Sequence, residues 1–192
     1  MITAPIVLAS ASPRRLDLLR QIGVEPVVEP ADVDETVPPG IDVSSAVLAL
    51  ARVKAAAVAT RHWGEPTLVL GADTLVVVDG SPLGKPADAD EAVDMLRRLS
   101  GRSHQVVTAV ALVDAADGRS TDGIALTTVR MREIEPVEIE RYVATGEPLD
   151  KAGAYAIQGQ AAVFVEGIEG DFTNVVGLPL PLVHRLVAEL TR

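Results

Sequence analysis

The order in which strand-like and helix-like segments follow one another is the strongest constraint on the fold. In the first half of the chain, short apolar runs typical of buried strands alternate with segments that repeat apolar residues at helical spacing. Further along, two long runs rich in β-branched residues flank Ala116-Asp117-Gly118, a hairpin signal. We therefore predict an α/β fold built on a mixed, twisted sheet that is flanked by helices.

The same patterns give approximate bounds for the elements. Strands are predicted at 6–9, 24–28, 67–78, 105–113, 119–132, 161–165 and 172–176. Helices are predicted from 13 to the glycine at 23, at 43–61, from 88 or 90 to 99, at 136–144 and at 180–190. The intervening 29–40 is predicted as an acidic loop, 79–82 as a turn and 146–159 as irregular.

Size and charge limit the class of protein. A chain of 192 residues that is 48% apolar can bury one core, so we expect a single domain over residues 1–192. The formal charge of −10 argues against binding to nucleic acid or to an anionic membrane, so any phosphate site must be a local basic pocket. No apolar stretch is expected to approach the ~20 residues that span a bilayer. The start of the chain lacks the positive charge of a secretion signal, and we expect a cytoplasmic protein.

The chain carries fourteen arginines but only three lysines, Lys54, Lys85 and Lys151. Base composition of the gene is the plain explanation, yet an ammonium fits tight pockets that a planar guanidinium cannot enter. Lys54 shares a helical stripe with Val47 and Leu50, so it should face inward. It either extends to the rim of the core or meets an anion there.

A candidate phosphate site lies at the start of the first helix. Ser12 is placed to cap this helix, Pro13 begins it, and Arg14 and Arg15 follow. The positive end of the helix dipole and two guanidinium groups suit a phosphate. An ordinary capped helix with solvated arginines is the alternative.

Asp73 is the strongest single candidate for chemistry. It is a lone carboxylate in the apolar run 67–78, and a buried charge persists only when a cation or a metal accompanies it. Glu35, with Asp34 beside it, could complete a carboxylate site for Mg²⁺, which typically takes one or two carboxylates together with substrate phosphates and water. A structural ion pair for Asp73 and a solvated acidic turn for Glu35 are the alternatives.

Two common chemistries receive no support. The three histidines, His62, His104 and His184, follow no zinc-ligand spacing, and we predict no role for them. The chain has no cysteine, which excludes thiolate metal sites, and no G-x-x-x-x-G-K-[ST] loop, which excludes a P-loop nucleotidase.

Six motifs follow one another along the whole chain. They are Ala9-Ser-Ala-Ser-Pro-Arg-Arg15, Gly71-Ala-Asp-Thr74, Leu83-Gly-Lys-Pro86, Leu99-Ser-Gly-Arg-Ser-His104, Glu147-Pro-Leu-Asp-Lys-Ala-Gly-Ala-Tyr155 and Val176-Gly-Leu-Pro-Leu180. Together they resemble the motifs of Maf proteins. The resemblance implies a fold like that of the inosine triphosphate pyrophosphatases and a homodimer. It also implies hydrolysis of a nucleoside triphosphate between its α and β phosphates with a divalent cation, Mg²⁺ or Mn²⁺.

The resemblance also assigns roles to residues of this chain. Phosphate handling and catalysis fall on Ser10, Arg14, Arg15, Glu35, Lys54, Asp73 and Lys85, with Glu35 and Asp73 on the metal. Contact with the base falls on Gln158. The Asp-Lys-Ala-Gly-Ala-Tyr form of the fifth motif looks like the branch that acts on dTTP and UTP. Ala156 stands where many members have glycine.

Two other classes of function are carried alongside hydrolysis. Maf proteins are also linked to arrest of septum formation and cell division, so a non-catalytic, nucleotide-binding regulator is the alternative. A sensor that binds nucleotide without turnover is a second one. The sequence leaves open whether ordinary or modified pyrimidine triphosphates are the substrate, and whether Asp73 holds a metal or acts as a general base.

Overall fold

The computed structural model describes residues 2, 4–36 and 41–192, so the end of the predicted acidic loop, 37–40, lies outside the described residues. Within the described residues seven strands form one sheet in the order β2-β1-β3-β5-β6-β7, with β4 bonded to β3. The strands are β1 Ile6–Leu8, β2 Val27–Val28, β3 Leu68–Val78, β4 Ser81–Leu83, β5 Ser103–Asp114, β6 Ser120–Met131 and β7 Val165–Glu169. The pair β1–β3 is parallel and the pair β6–β7 antiparallel, which confirms the predicted α/β fold with a mixed sheet.

The helices follow the predicted order, except that the strand predicted at 172–176 is a helix. They are α1 Pro13–Gln21, α2 Val43–Ala59, α3 Ala89–Leu99, α4 Pro136–Val143, α5 Phe172–Val176 and α6 Leu180–Leu190. Capping explains several starts: Asp42 accepts the Ser45 N–H at 3.1 Å before α2, and Asp88 accepts the Glu91 N–H at 2.9 Å before α3.

The contact between α2 and β3 places the candidate site. A Cβ on Gly71 of β3 would overlap the Ala51 carbonyl oxygen and would lie 2.6 Å from the Ala55 nitrogen. Only glycine therefore lets the α2 backbone lie this close to β3. The close approach brings Lys54, on the buried side of α2, next to Asp73 on β3.

Three predicted elements differ from the structure. Residues 160–164 form a 3-10 turn, Gln160–Phe164, rather than a strand, and the strand that follows is β7. Residues 172–176 form α5, because Asp171 accepts the Thr173 N–H at 2.7 Å and starts a helical turn. The predicted four-residue turn at 79–82 is a two-residue hairpin turn. Asp79 and Gly80 both have positive φ, and Ser81, the first residue of β4, already pairs with Val78 of β3.

The described residues divide into two compact units. The first comprises residues of Met1–Asp73, Thr108–Ala125 and Gly177–Arg192, and the second comprises Thr74–Val107 and Leu126–Val176. Each unit has its own apolar core, around Val7, Val58 and Val69 in the first and around Leu96, Met131 and Phe164 in the second. The single domain over 1–192 stays a prediction.

In the part of the chain that the structure describes, one segment is long and apolar enough to cross a membrane by length and composition alone. It is Val43–His62, with a mean hydropathy of 1.5 and 44% of its window buried. The expectation that no apolar stretch approaches this length is therefore wrong for α2 and the 3-10 turn after it. A single such helix is weak evidence of a membrane span, since a core helix has the same composition.

Candidate functional site

The first unit contains a charged triad, Lys54–Asp73–Glu35. The Lys54 Nζ lies 2.7 Å from Asp73 Oδ1 and 2.9 Å from Glu35 Oε1. Lys54 is 7% exposed and Asp73 8% exposed, whereas the side chain of Glu35 is 58% exposed. One ammonium thus joins a carboxylate inside the unit to a carboxylate at its surface.

The triad decides between the alternatives for Lys54. The lysine faces inward, as its stripe predicts, and it meets two carboxylates instead of extending to solvent. Removing the ammonium would leave the buried Asp73 carboxylate uncompensated, which typically costs ~3–5 kcal/mol. Asp73 is likewise buried and paired, so the structure contains the ion pair that was one of its two alternatives.

The two carboxylates also fit a divalent cation. Both approach the same cationic nitrogen, so they converge on one point that already favours positive charge. Within residues 2, 4–36 and 41–192, no cluster of three or more His, Asp or Glu side chains could hold a metal. A two-carboxylate donor set suits Mg²⁺ when substrate phosphates and water supply the other ligands.

Arg15 fixes the chain around this triad. Its Nε donates to the Gly177 carbonyl at 2.9 Å, and its Nη1 donates to the Ala72 carbonyl at 2.9 Å and to Ser10 Oγ at 3.0 Å. Burial lowers the pKa of the Arg15 guanidinium, and the nearby charge of Asp73 opposes that shift. Arg15 therefore ties the loop before α1 to the strand residue next to Asp73.

The start of α1 has the features of an anion site. Pro13 is the first helical residue, and the Ser12 side chain makes no capping hydrogen bond. Ser10 is 8% exposed, and its Oγ accepts the Ser12 N–H at 3.2 Å. The half-buried Arg14 follows Pro13 and contributes to the electrostatic surroundings of Arg15. The helix dipole and these guanidinium groups place positive charge at one end of the first unit.

Two predicted site residues belong to the second unit. Lys85 is exposed in the segment after β4. Gln158 is exposed in a turn that is closed by the Gly159 N–H donating to the Ala156 carbonyl at 3.0 Å, in keeping with its predicted irregular surroundings. Their roles stay predictions.

Sequence reasoning gave His104 no role, yet the structure buries it to 2% exposure against Tyr155. Its Nε2 lies 2.8 Å from the Tyr155 hydroxyl, and burial lowers its pKa to about 4. The available signal was a histidine beside the apolar run 105–113, inside one of the six motifs. Zinc spacing was the wrong criterion for this histidine, because its partner is a phenol.

The α/β fold thus brings the ammonium of Lys54 and two carboxylates close to an arginine-rich helix start, and an arrangement of this kind suits a phosphate. The chain belongs to the Maf-like protein family, whose model matches residues 5–190.

Named relatives cover nearly the whole chain. The dTTP/UTP pyrophosphatase of Pelotomaculum thermopropionicum is 54% identical over 91% of this chain and 91% of its own length. The dTTP/UTP pyrophosphatase of Symbiobacterium thermophilum is 52% identical over 97% of this chain and 93% of its own. Among solved structures, a HAM1 protein from Coxiella burnetii aligns over 98% of this chain and 99% of that one, with 16% identity and a TM-score of 0.48.

Proposed function

We propose that this protein is a nucleoside triphosphate pyrophosphatase that hydrolyses dTTP and UTP to the nucleoside monophosphate and pyrophosphate. Relatives that are 54% and 52% identical to most of this chain are named dTTP/UTP pyrophosphatase. Their names agree with the activity predicted from the motifs. The single observation that carries the chemistry is the ion-paired group of Lys54, Asp73 and Glu35, in which Lys54 and Asp73 are buried.

Charge neutralisation is the main task in this reaction. Cleavage between the α and β phosphates needs in-line positioning of a water and stabilisation of the departing pyrophosphate more than covalent help. Arg14, the helix start and Lys54 supply positive charge for the phosphates. Arg15 supplies charge as well, and its three hydrogen bonds hold Ser10 and the backbone of Ala72 in place.

Asp73 and Glu35 would hold Mg²⁺ or Mn²⁺ through their converging oxygens. When bound, such a cation polarises the α-phosphate and makes water more acidic. If Asp73 is not a ligand, its carboxylate would accept the proton of the attacking water. Lys54 restrains the Asp73 carboxylate in either case, because their hydrogen bond fixes its rotamer.

Selectivity for the base is assigned to Gln158. Its amide offers both a donor and an acceptor. Uracil and thymine present an acceptor-donor-acceptor edge, whereas cytosine replaces one acceptor by an amino donor, so dCTP would leave polar groups mispaired. We therefore expect higher kcat/KM for dTTP and UTP than for dCTP.

The test is a panel of normal and modified nucleoside triphosphates, read by pyrophosphate release with Mg²⁺, with Mn²⁺ and with EDTA. The proposal predicts stoichiometric monophosphate and pyrophosphate from dTTP and UTP that EDTA abolishes. Binding without product would instead favour a nucleotide sensor or a non-catalytic, nucleotide-binding regulator of septum formation, and neither binding nor product would overturn the proposal. A homodimer, also proposed, is tested by light scattering on the same preparation.

A further inference from the structure

Residues 146–159, here called the base-side segment because they include Gln158, have little regular structure. They contain two short 3-10 turns, Glu147–Asp150 and Ala152–Ala154. Gly146, Gly153 and Ala154 all have positive φ. The internal backbone bonds each close a single turn, such as the Ala154 N–H to the Lys151 carbonyl at 3.0 Å. Such a segment depends on side chains to hold it in one conformation.

A buried aromatic pair anchors this segment to β5. The Tyr155 hydroxyl lies 2.8 Å from His104 Nε2, and the two rings meet edge to face with centroids 5.4 Å apart. His104 is 2% exposed and Tyr155 is 6% exposed. Burial lowers the pKa of His104 to about 4 and raises that of Tyr155, so both groups are neutral near pH 7 and their bond persists there.

A second set of hydrogen bonds holds Ala156, the residue that follows Tyr155. The Ala156 N–H donates to the Tyr142 hydroxyl at 3.2 Å, and that hydroxyl donates to Glu147 Oε1 at 2.9 Å. The same carboxylate accepts the Gln160 N–H at 3.1 Å. The turn that exposes Gln158 is therefore held immediately before and immediately after.

The segment also touches the backbone next to Lys85. The Gly153 N–H donates to the Gly84 carbonyl at 2.9 Å. A Cβ on Gly153 would lie 2.8 Å from Val76 Cγ2, and its φ is +70°, so glycine alone fits this position. One anchored segment thus contains Gln158 and bonds the backbone of the residue before Lys85.

We propose that His104 and Tyr155 are positioning residues for base selectivity: their buried hydrogen bond fixes the turn that presents Gln158 to the nucleobase. The inference rests on the proposed function, because it takes Gln158 as the residue that contacts the base. Tyr155 is too deeply buried to reach a base by itself, and Lys151 Nζ is engaged with the Glu147 carbonyl at 2.7 Å.

The experiment measures the ratio of kcat/KM for dTTP to that for dCTP in four proteins. Tyr155→Phe removes the hydroxyl and keeps the ring, Gln158→Ala removes the reading amide, and the third variant combines them. Ser100→Ala is the matched control. It deletes a part-buried hydroxyl of the same unit that accepts the Ile134 N–H at 2.7 Å and makes no hydrogen bond to the base-side segment.

Tyr155→Phe should lower the ratio roughly three- to tenfold, the effect of one lost neutral hydrogen bond. The double variant should equal Gln158→Ala, because a positioning residue has no effect once the group it positions is gone. Ser100→Ala should lose stability and keep the wild-type ratio. An unchanged ratio in folded Tyr155→Phe, or additive losses in the double variant, would overturn the inference.

Two further arms keep the result decisive. Where Tyr155→Phe does not fold, His104→Leu combined with Tyr155→Phe replaces both partners by apolar groups, a change that is often nearly neutral for stability. Where the wild-type protein releases no pyrophosphate, the proposed function fails, and the ratio is measured as Kd for non-hydrolysable dTTP and dCTP analogues. A wild-type protein with no preference in binding overturns this inference as well.

Discussion

At the scale of single residues, the three lysines were more informative than the fourteen arginines. Lys54 is one of three lysines, and it is the residue that joins Asp73 to Glu35. Its inward direction was readable from helical spacing. The identity of its partners was not, because Asp73 and Glu35 approach it only through the packing of α2 on β3 and the path of the loop after β2. A pattern predicts which way a side chain faces but does not predict the tertiary partner.

Asp73→Asn should abolish hydrolysis while the protein stays folded. The substitution keeps the volume of the side chain but removes the charge that either a metal or a proton needs, and it leaves Lys54 paired with Glu35. The measurements are pyrophosphate release from dTTP and a circular dichroism melt. Near-normal turnover by the folded variant would show that the Asp73 carboxylate is not required.

Lys54→Arg should lower kcat/KM by at least roughly tenfold although the charge is kept. The ammonium of Lys54 is held within 2.9 Å of two carboxylates, and Lys54 is only 7% exposed. A planar guanidinium is larger and bonds in a fixed fork. Steady-state kinetics with dTTP provide the measurement, and Arg52→Lys on the exposed side of the same helix is the control. Wild-type kinetics in Lys54→Arg would contradict a shaped ammonium site.

At the scale of elements, the sequence predicted strongly periodic segments well and short ones poorly. Helix 180–190 and strand 67–78 agree with α6 and β3 to within one residue. The apolar, β-branched residues of 172–176 favoured a strand, yet local capping by Asp171 prevailed. The turn at 160–164 depends on Glu147, thirteen residues away, so no local pattern could have indicated it.

Gly71→Ala should destabilise the protein by ~1–3 kcal/mol, the usual effect of overpacking. The added methyl group would overlap the Ala51 carbonyl of α2, and the two elements would have to separate. Because Lys54 reaches Asp73 across this contact, activity should fall together with stability. The measurements are urea unfolding and pyrophosphate release.

Gly84→Ala is the matched control for this substitution, since a Cβ there meets no atom within 4 Å. It should leave the free energy of unfolding within about 0.5 kcal/mol of wild type, as surface substitutions generally do. Equal stability of the two glycine variants would refute the role of Gly71.

At the scale of the whole molecule, folding shifts the pKa values of two hydrogen-bonded histidines, His62 and His104, in opposite directions. His62 bonds Glu65 at 2.8 Å and Glu29 at 2.9 Å, and His104 is buried without a charged partner. The partners of His62 raise its pKa, whereas desolvation lowers that of His104. The sequence suggested neither arrangement, because each depends on residues that only the fold brings together.

His62 should stabilise the fold at mildly acidic pH. The hydrogen bond with Glu65 is the main cause of the raised pKa of His62. The stabilisation by His62 is therefore fully present below the unfolded pKa of about 6.5 and is lost as the pH rises through the higher folded pKa. His62→Gln should therefore destabilise the protein more at pH 6 than at pH 8.5. The readout is urea unfolding at both pH values, and an equal loss at the two would contradict this linkage.

His104 should cause a loss of stability on the acid side. Burial lowers its pKa from 6.5 to about 4, so the unfolded chain binds a proton in this interval that the folded chain rejects. The contribution of His104 to the free energy of unfolding is therefore fully present above pH 6.5. It decreases as the pH falls and stops changing below about pH 4. At 1.36 kcal/mol per pKa unit the full loss is about 3 kcal/mol. Carboxylates titrate in the same pH range, so the His104→Gln variant is the reference. Between pH 6.5 and 4.5 its free energy of unfolding should change less steeply with pH than that of the wild type. Parallel slopes would mean that folding leaves the pKa of His104 unchanged.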